Sequence, residues 1–278
     1  MRPLTLSFLV IASLVAFAQL AQSAEPEPGT GILAVGDFGV GGRAEARIGS
    51  AMRDFEAENA AQLLVTLGDN DYTERSSAFR ENWRSSFGWL SPAGVAVAGV
   101  LGNHDLRVER GRYEFATLGM PGPTYRRRVG LVEVFVLDSN NVGDAQTRWL
   151  ESALRRSQAP WKVVAVHHPA WTCGGHLRDD AIVARWVPLF ERYRVRLVLA
   201  GHDHNYQRFV ARRGVTYVVH GGGSGRFYAP VRCPAGYPPR ARAKREWGFL
   251  YLVARAERLD GYAVSVAGRR TDHFALRP

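Results

Sequence analysis

The chain has 278 residues, 46% of them hydrophobic and 29 of them glycine, which excludes a disordered polyelectrolyte and suits a compact α/β protein rich in turns. Lys and Arg exceed Asp and Glu by 36 to 26, and the resulting formal charge of +10 favours anionic partners. The arginines are scattered, with Arg126-Arg127-Arg128 the one tight run, and no aromatic residues are interleaved with them. A dedicated nucleic-acid platform is therefore not expected, and the charge reads as a solvated basic surface that draws in anionic substrate.

Arg2 precedes an apolar run from Leu4 to Leu20, followed by Ala21-Gln22-Ser23-Ala24 and the turn-rich Glu25-Pro26-Glu27-Pro28-Gly29. A positive start, an apolar centre and small residues before a polar stretch predict a secretory signal over residues 1–24, cleaved after Ser23 or Ala24. Thr5, Ser7, Ser13 and Gln19 interrupt the run, which falls short of the roughly 20 apolar residues of a spanning helix. No cysteine follows to carry a lipid, so export without a stable membrane anchor is expected, to the periplasm or the medium. Cys173 and Cys233 are the only cysteines, and in an oxidising compartment they are expected to form one disulfide.

Residues 25–278 read as one domain, with no repeat or linker to divide them. Gly31–Val35 is a short apolar strand, and Ile48, Met52 and Phe55 at helical spacing predict a helix over about 44–58. A strand over Gln62–Leu67, a helix over Ser76–Phe87 and a strand over Val95–Leu101 complete parallel βαβ units. Leu106–Val129 reads as loop with short pieces of structure. Leu131–Leu137 is a strand ending in Asp138-Ser139-Asn140-Asn141, and Asp144 caps a helix to about Gln158. Strand, helix and strand follow over Trp161–Val166, Asp180–Tyr193 and Val195–Ala200. Tyr206–Ala211, Val215–His220, Gly248–Ala254 and Tyr262–Val266 then read as strands without intervening helices, and Arg212-Arg213-Gly214 as a hairpin turn. The stretch from Gly221-Gly222-Gly223-Ser224-Gly225 to about Glu246 is irregular, and it lacks the lysine and following helix of a nucleotide-cradling loop.

Chemistry concentrates where apolar runs stop. Four runs end in Gly followed by Asp, Asn or His: Val35-Gly36-Asp37, Leu67-Gly68-Asp69-Asn70-Asp71-Tyr72, Leu101-Gly102-Asn103-His104-Asp105 and Ala200-Gly201-His202-Asp203-His204. A fifth, Val163–Val166, runs directly into His167-His168. Carboxyl ends of strands in an open α/β sheet face the crevice where ligands bind. Carboxylates, an amide carbonyl, imidazoles and a phenol suit iron, manganese or zinc better than calcium. One ion cannot use them all. Two ions sharing a carboxylate can, and a pair roughly 3.5–4 Å apart clamps both oxygens of an in-line displacement, the chemistry of phosphoester hydrolysis.

These blocks, in this order, resemble the calcineurin-like metallophosphoesterase superfamily. The first block, Gly36-Asp37-Phe38-Gly39, has no histidine two residues after its aspartate, and Tyr72 sits three residues after Asp69. That exchange is similar to the purple acid phosphatases of the small, tartrate-resistant type. The resemblance implies a four-layer α/β/β/α sandwich and an Fe(III) ion held by Asp37, Tyr72 and His204. It further implies a bridging Asp69 and a divalent ion (Fe, Zn or Mn) held by Asn103, His167 and His202. His104 would contact the phosphoryl group of a small phosphorylated substrate, a metal-bound hydroxide would attack in line, and His176 would lie near the leaving group. Asp105 is expected to orient His104. Two departures stand out: Asp71 adds negative charge beside the ferric position, and His168, where the family has tyrosine, is read as a pocket residue. His220 and His273 are read as ordinary strand or tail histidines.

The expected function is therefore an exported acid phosphatase acting on phosphomonoesters. A phosphodiesterase or nucleotidase on the same scaffold stays open, as does a secreted binding protein that keeps its metals but hardly turns over. Oligomeric state is not legible.

Overall fold

A computed structural model describes residues 29–278, so the signal sequence expected over residues 1–24 lies outside the described residues. The first half alternates strand and helix: β1 Thr30–Val35, α1 Gly42–Glu56, β2 Leu63–Thr66, α2 Ser76–Phe87 and β3 Ala96–Ala98. Two short 3-10 turns lead into α3 Arg112–Leu118, β4 Tyr125–Val129 and β5 Val132–Val136. There follow α4 Asp144–Arg156, β6 Trp161–Ala165, α5 Asp180–Arg185, α6 Val187–Arg192 and β7 Leu197–Ala200. The remainder is strand: β8 Tyr206–Phe209, β9 Thr216–His220, β10 Arg240–Lys244, β11 Gly248–Ala254, β12 Leu259–Ser265 and β13 Arg270–Leu276.

The strands form two mixed sheets, ordered β13-β12-β11-β1-β2-β3 and β10-β8-β9-β7-β6-β5-β4. Side-chain alternation along each strand explains the layering. On β1, Ile32 and Ala34 face the other sheet, joining Val134, Val163, Leu199 and Leu250 in a core between the sheets. Leu33 and Val35 point the other way, onto Ile48 and Met52 of α1 and Phe87 of α2. Val164 and Val198 likewise face outward on the second sheet, against Leu150 and Leu154 of α4 and against Ile182 and Phe190 of α5 and α6. Strands buried on both faces read as continuous apolar runs, and this is why their positions are visible in the sequence. The result is helices, sheet, sheet, helices: the four-layer sandwich.

The differences from expectation have local causes. The helix expected over Asp180–Tyr193 is two helices meeting at Trp186, because Pro188 has no N–H to give the carbonyl of Ala184. Gly143, not Asp144, is the cap residue of α4; Asp144 is its first helical residue, and its carboxylate accepts from Arg185. The arginine run belongs to β4, an edge strand antiparallel to β5, where Arg126 pairs with Glu133 at 3.2 Å. Charge on an edge strand discourages pairing with another chain. Strands β10 and β13, absent from the sequence reading, are also edges, and their sequences RARAK and RTDHFAL carry little apolar pattern. Arg213 and Gly214, with φ of 47° and 82°, form the expected hairpin turn. Cys173 and Cys233 are disulfide-bonded, with Cα atoms 4.8 Å apart.

Candidate metal centre

Parallel strands β1, β2 and β3 of one sheet and β6 and β7 of the other deliver their carboxyl ends to a common edge. Asp37 follows β1, Asp69 and Tyr72 follow β2, Asn103 and His104 follow β3, His167 follows β6, and His202 and His204 follow β7. Close approach of these ends is possible because glycines stand where they cross. A Cβ on Gly68 would lie 2.4 Å from His167 Nδ1, and one on Gly201 would lie 2.6 Å from Asp37 Oδ2. Asp37, Asp69 and His202 themselves adopt left-handed backbone, with φ of 58°, 52° and 70°. Such conformations cost on the order of 1–3 kcal/mol each and persist where surrounding contacts over-determine them. Here the Asp37 N–H donates to the Gly68 carbonyl at 3.0 Å, and the His202 N–H donates to Asp37 Oδ2 at 2.8 Å.

All seven residues expected as ligands are brought together, in two groups. In the first, the Tyr72 hydroxyl lies 3.2 Å from Asp37 Oδ1 and 3.1 Å from His204 Nε2. In the second, His167 Nε2 lies 3.1 Å from Asn103 Oδ1 and 3.2 Å from His202 Nδ1. Asp69 lies between them: its Oδ1 is 3.5 Å from His167 Nε2, and ligand-capable atoms of Asp37, Asp69 and His167 lie within 4.8 Å of one another.

The chemistry of this donor set fits cations. His167 Nδ1 meets the Leu67 carbonyl at 2.8 Å, and a carbonyl only accepts, so the proton is on Nδ1. Nε2 therefore presents a lone pair to the carbonyl oxygen of Asn103 and the carboxylate of Asp69, an arrangement of acceptors that a positive charge between them satisfies. The protein alone disfavours charge here. Burial pushes the Asp37 carboxyl up, burial with Asp37 and Asp69 pushes the Tyr72 phenol far up, and burial with His167 pushes His202 far down. Bound cations invert that balance by stabilising carboxylate and phenolate while needing neutral imidazole.

Residues around the donors divide by what they touch. His104 packs its ring on Tyr72 at 4.5 Å between centroids, its backbone N–H donates to Asp69 Oδ1 at 2.9 Å, and burial lowers its pKa. His176 lies over the His202 ring at 4.0 Å, and its Nδ1 donates to Asp203 Oδ1 at 3.1 Å, a bond that raises its pKa against burial. His168 is held at Nδ1 by Ser139 at 2.9 Å, lies within ligand reach of His167 and His202, and is pushed by burial down to about 4. Asp71 accepts from the Thr73 N–H at 2.8 Å and closes the turn after β2. His220 is buried on β9, and His273 pairs with Asp260 at 2.8 Å on β13.

Two partners escaped the sequence reading. Asp203 stands between two candidate ligands in a motif already singled out, so its position was visible though its hold on His176 was not. Ser139 accepts the N–H groups of His167 at 3.2 Å and His168 at 2.9 Å, and only its place at the end of a strand hinted at this.

Asp105 requires a correction, because its bonds do not go to His104. Its carboxylate accepts from Gly102 N at 2.7 Å, Asn70 N at 2.8 Å, Asn70 Nδ2 at 2.8 Å and Asp71 N at 3.1 Å. Lying at the start of a 3-10 turn, it faces back under the loop after β2 and ties that loop to the one after β3. Asp105→Asn puts a donor among four donors, and a loss of about 2–4 kcal/mol is expected, read as a lower urea midpoint at unchanged slope.

The calcineurin-like phosphoesterase family model matches residues 30–206. Tartrate-resistant acid phosphatase type 5 of Mus musculus is 26% identical over 249 residues, 74% of this chain and 76% of that one. The Homo sapiens protein of the same name is 26% identical over 260 residues, 78% and 79% of the two chains. Among solved structures, purple acid phosphatase PPD1 from yellow lupin (Lupinus luteus) seeds superposes with a TM-score of 0.77 at 16% identity, covering 91% of this chain and 55% of that one. GAP50, described as the anchor in the inner membrane complex of Plasmodium, gives 0.79 at 14% identity over 90% and 89%, a likeness of fold alone. Strand ends carrying a metal-suited donor set, a family model spanning most of the sandwich and similarity to acid phosphatases along both sheets make one statement: the chain belongs to the calcineurin-like phosphoesterase family, and within it is similar to the purple, tartrate-resistant acid phosphatases.

Proposed function

We propose that the chain is an exported acid phosphatase that hydrolyses phosphomonoesters. Asp37, Tyr72 and His204 would hold Fe(III), Asn103, His167 and His202 a divalent ion (Fe, Zn or Mn), and Asp69 would bridge the two. The observation that carries this reading is the Tyr72 hydroxyl, within 3.2 Å of Asp37 Oδ1 and 3.1 Å of His204 Nε2. A phenol between a carboxylate and an imidazole, in surroundings that resist phenolate, suits a hard trivalent ion better than zinc. Bound there, the two ions would acidify the attacking water and neutralise charge on the phosphoryl oxygens.

The chain's own residues then have separable tasks. His104, half-exposed beside Asp69, can donate to a phosphoryl oxygen as charge develops. His176, whose pKa the bond to buried Asp203 raises, would be the proton donor to the departing oxygen. The net basic charge of the chain favours anionic esters over neutral ones. Export is supported by the signal-like residues 1–24 and by the Cys173–Cys233 bond, which persists in oxidising compartments.

Turnover of mono- and diesters together with metal quantification is the primary experiment. Faster cleavage of diesters would replace the monoesterase reading, and two bound metals without turnover would favour a binding protein. If Fe(III) sits on Tyr72, the protein has a visible phenolate-to-iron band that Tyr72→Phe abolishes while the thermal midpoint stays near wild type; a colourless active protein with two zinc or manganese ions refutes the ferric assignment. His104→Ala is expected to lower kcat by about 10²–10³-fold with both metals retained. Loss of one metal equivalent would make His104 a ligand. Protein recovered after export should begin at Ala24 or Glu25 and show no alkylatable thiol by intact mass, and retention of residues 1–23 would count against processing.

A further inference from the structure

Large apolar side chains left exposed are few among the described residues: Leu177, Val210, Tyr228 and Val231. Scattered singly, such residues mean nothing. Three of these four, however, lie on two segments joined covalently beside the metal centre. Leu177 follows His176 in the loop after β6, and Tyr228 and Val231 lie in the irregular stretch between β9 and β10. The Cys173–Cys233 bond joins the segments, and the Val231 N–H donates to the Cys173 carbonyl at 2.6 Å.

Tyr228 is the best placed of the three. Its N–H donates to the His204 carbonyl at 2.9 Å, and its carbonyl accepts from Asn205 Nδ2 at 3.2 Å. Its ring stacks on the His204 imidazole at 4.5 Å and 12°, and meets the His176 ring edge-on at 5.2 Å. A Cβ on Gly175 would lie only 3.5 Å from that ring, so the His176 loop packs against it. Even so, 38% of Tyr228 remains exposed. An aromatic ring fixed at both backbone ends, touching one imidazole of each proposed role and still open to solvent, is pre-organised to contact whatever the phosphoryl group carries.

We propose that Tyr228, with Leu177 on the loop that packs against it, forms an apolar wall for the alcohol portion of a phosphomonoester, favouring flat apolar leaving groups over small polar ones. This rests on the monoesterase function proposed above. The metal centre itself handles only the phosphoryl group, so discrimination among alcohols falls to the surfaces around it. The disulfide keeps both halves of the wall in register before substrate arrives.

The test compares kcat/KM for phenyl phosphate and glycerol 2-phosphate on the metal-loaded protein. Each variant is read as a ratio to wild type on the same ester, so the unequal reactivity of the two leaving groups cancels. Tyr228→Ala is expected to lose about tenfold on phenyl phosphate, mainly in KM, and less than about twofold on glycerol 2-phosphate. Tyr228→Phe, which keeps the ring, retains wild-type selectivity. Leu177→Ala gives a smaller loss, again confined to phenyl phosphate. Equal loss on both esters, or no loss on either, overturns the wall while leaving the monoesterase reading intact. Should Tyr228→Ala shed metal, Leu177→Ala decides: a loss on phenyl phosphate alone supports the wall, and unchanged selectivity overturns it. A wild-type protein with two metals that hydrolyses neither ester overturns the monoesterase reading and the wall with it.

Discussion

Seven side chains of metal-binding type converge in a region where burial holds the Asp37 carboxyl and the Tyr72 phenol up and the His202 imidazole down. A carboxyl pushed toward protonation, a phenol pushed away from ionising and an imidazole pushed toward its neutral form belong to a set that positive ions complete. Groups of this kind repel or desolvate one another, so a fold can gather them only if the backbone holds them by force of packing. Two sheets pressed face to face, with strands apolar on both sides, supply that force. The left-handed backbone at Asp37, Asp69 and His202 is its visible cost, offset by the hydrophobic burial behind it.

Around the donors, a second set of groups fixes their orientation. Asp105 gathers four N–H donors from two loops, and Ser139 receives the amides of His167 and His168. On the far side, Gln207 accepts from the Cys173 N–H at 2.7 Å and donates to Thr172 Oγ1 at 3.0 Å, while Thr172 donates to Asp203, which holds His176. Position therefore passes from strand β8 through a buried polar chain to an imidazole at the rim. Each member of that chain has a partner, the condition under which a buried polar network rigidifies and does not weaken a structure.

The site is asymmetric in what supports it. The Asp37–Tyr72 side leans on the first sheet, on the turn closed by Asp71 and Thr73, and on the Tyr228 ring behind His204. His176 leans on a loop stapled to the β9–β10 segment by the disulfide. Tyr228, whose ring touches both His204 and His176, joins the two sides.

Strand ends carrying Asp37, Asp69, Asn103, His167, His202 and His204 were legible in the sequence because each is a local event: a doubly buried strand must be an apolar run, and a glycine with a ligand must follow where the run stops. Their order, with Tyr72 three residues after Asp69, was enough to name the family. What tertiary structure decided is whatever depends on a neighbour distant in the chain. Edge strands β10 and β13 exist because β8 and β12 offer them unpaired backbone, and their own sequences hold almost no pattern to announce it. Asp105 sits beside His104 in sequence, yet its bonds cross to Asn70 and Asp71, some 35 residues away. Tyr228 belongs to no motif, and only the folding of its segment over His204 makes it part of the site. Local periodicity and motif spacing encode what one segment does by itself; the facing of two segments is set by packing, and packing is a property of the whole chain.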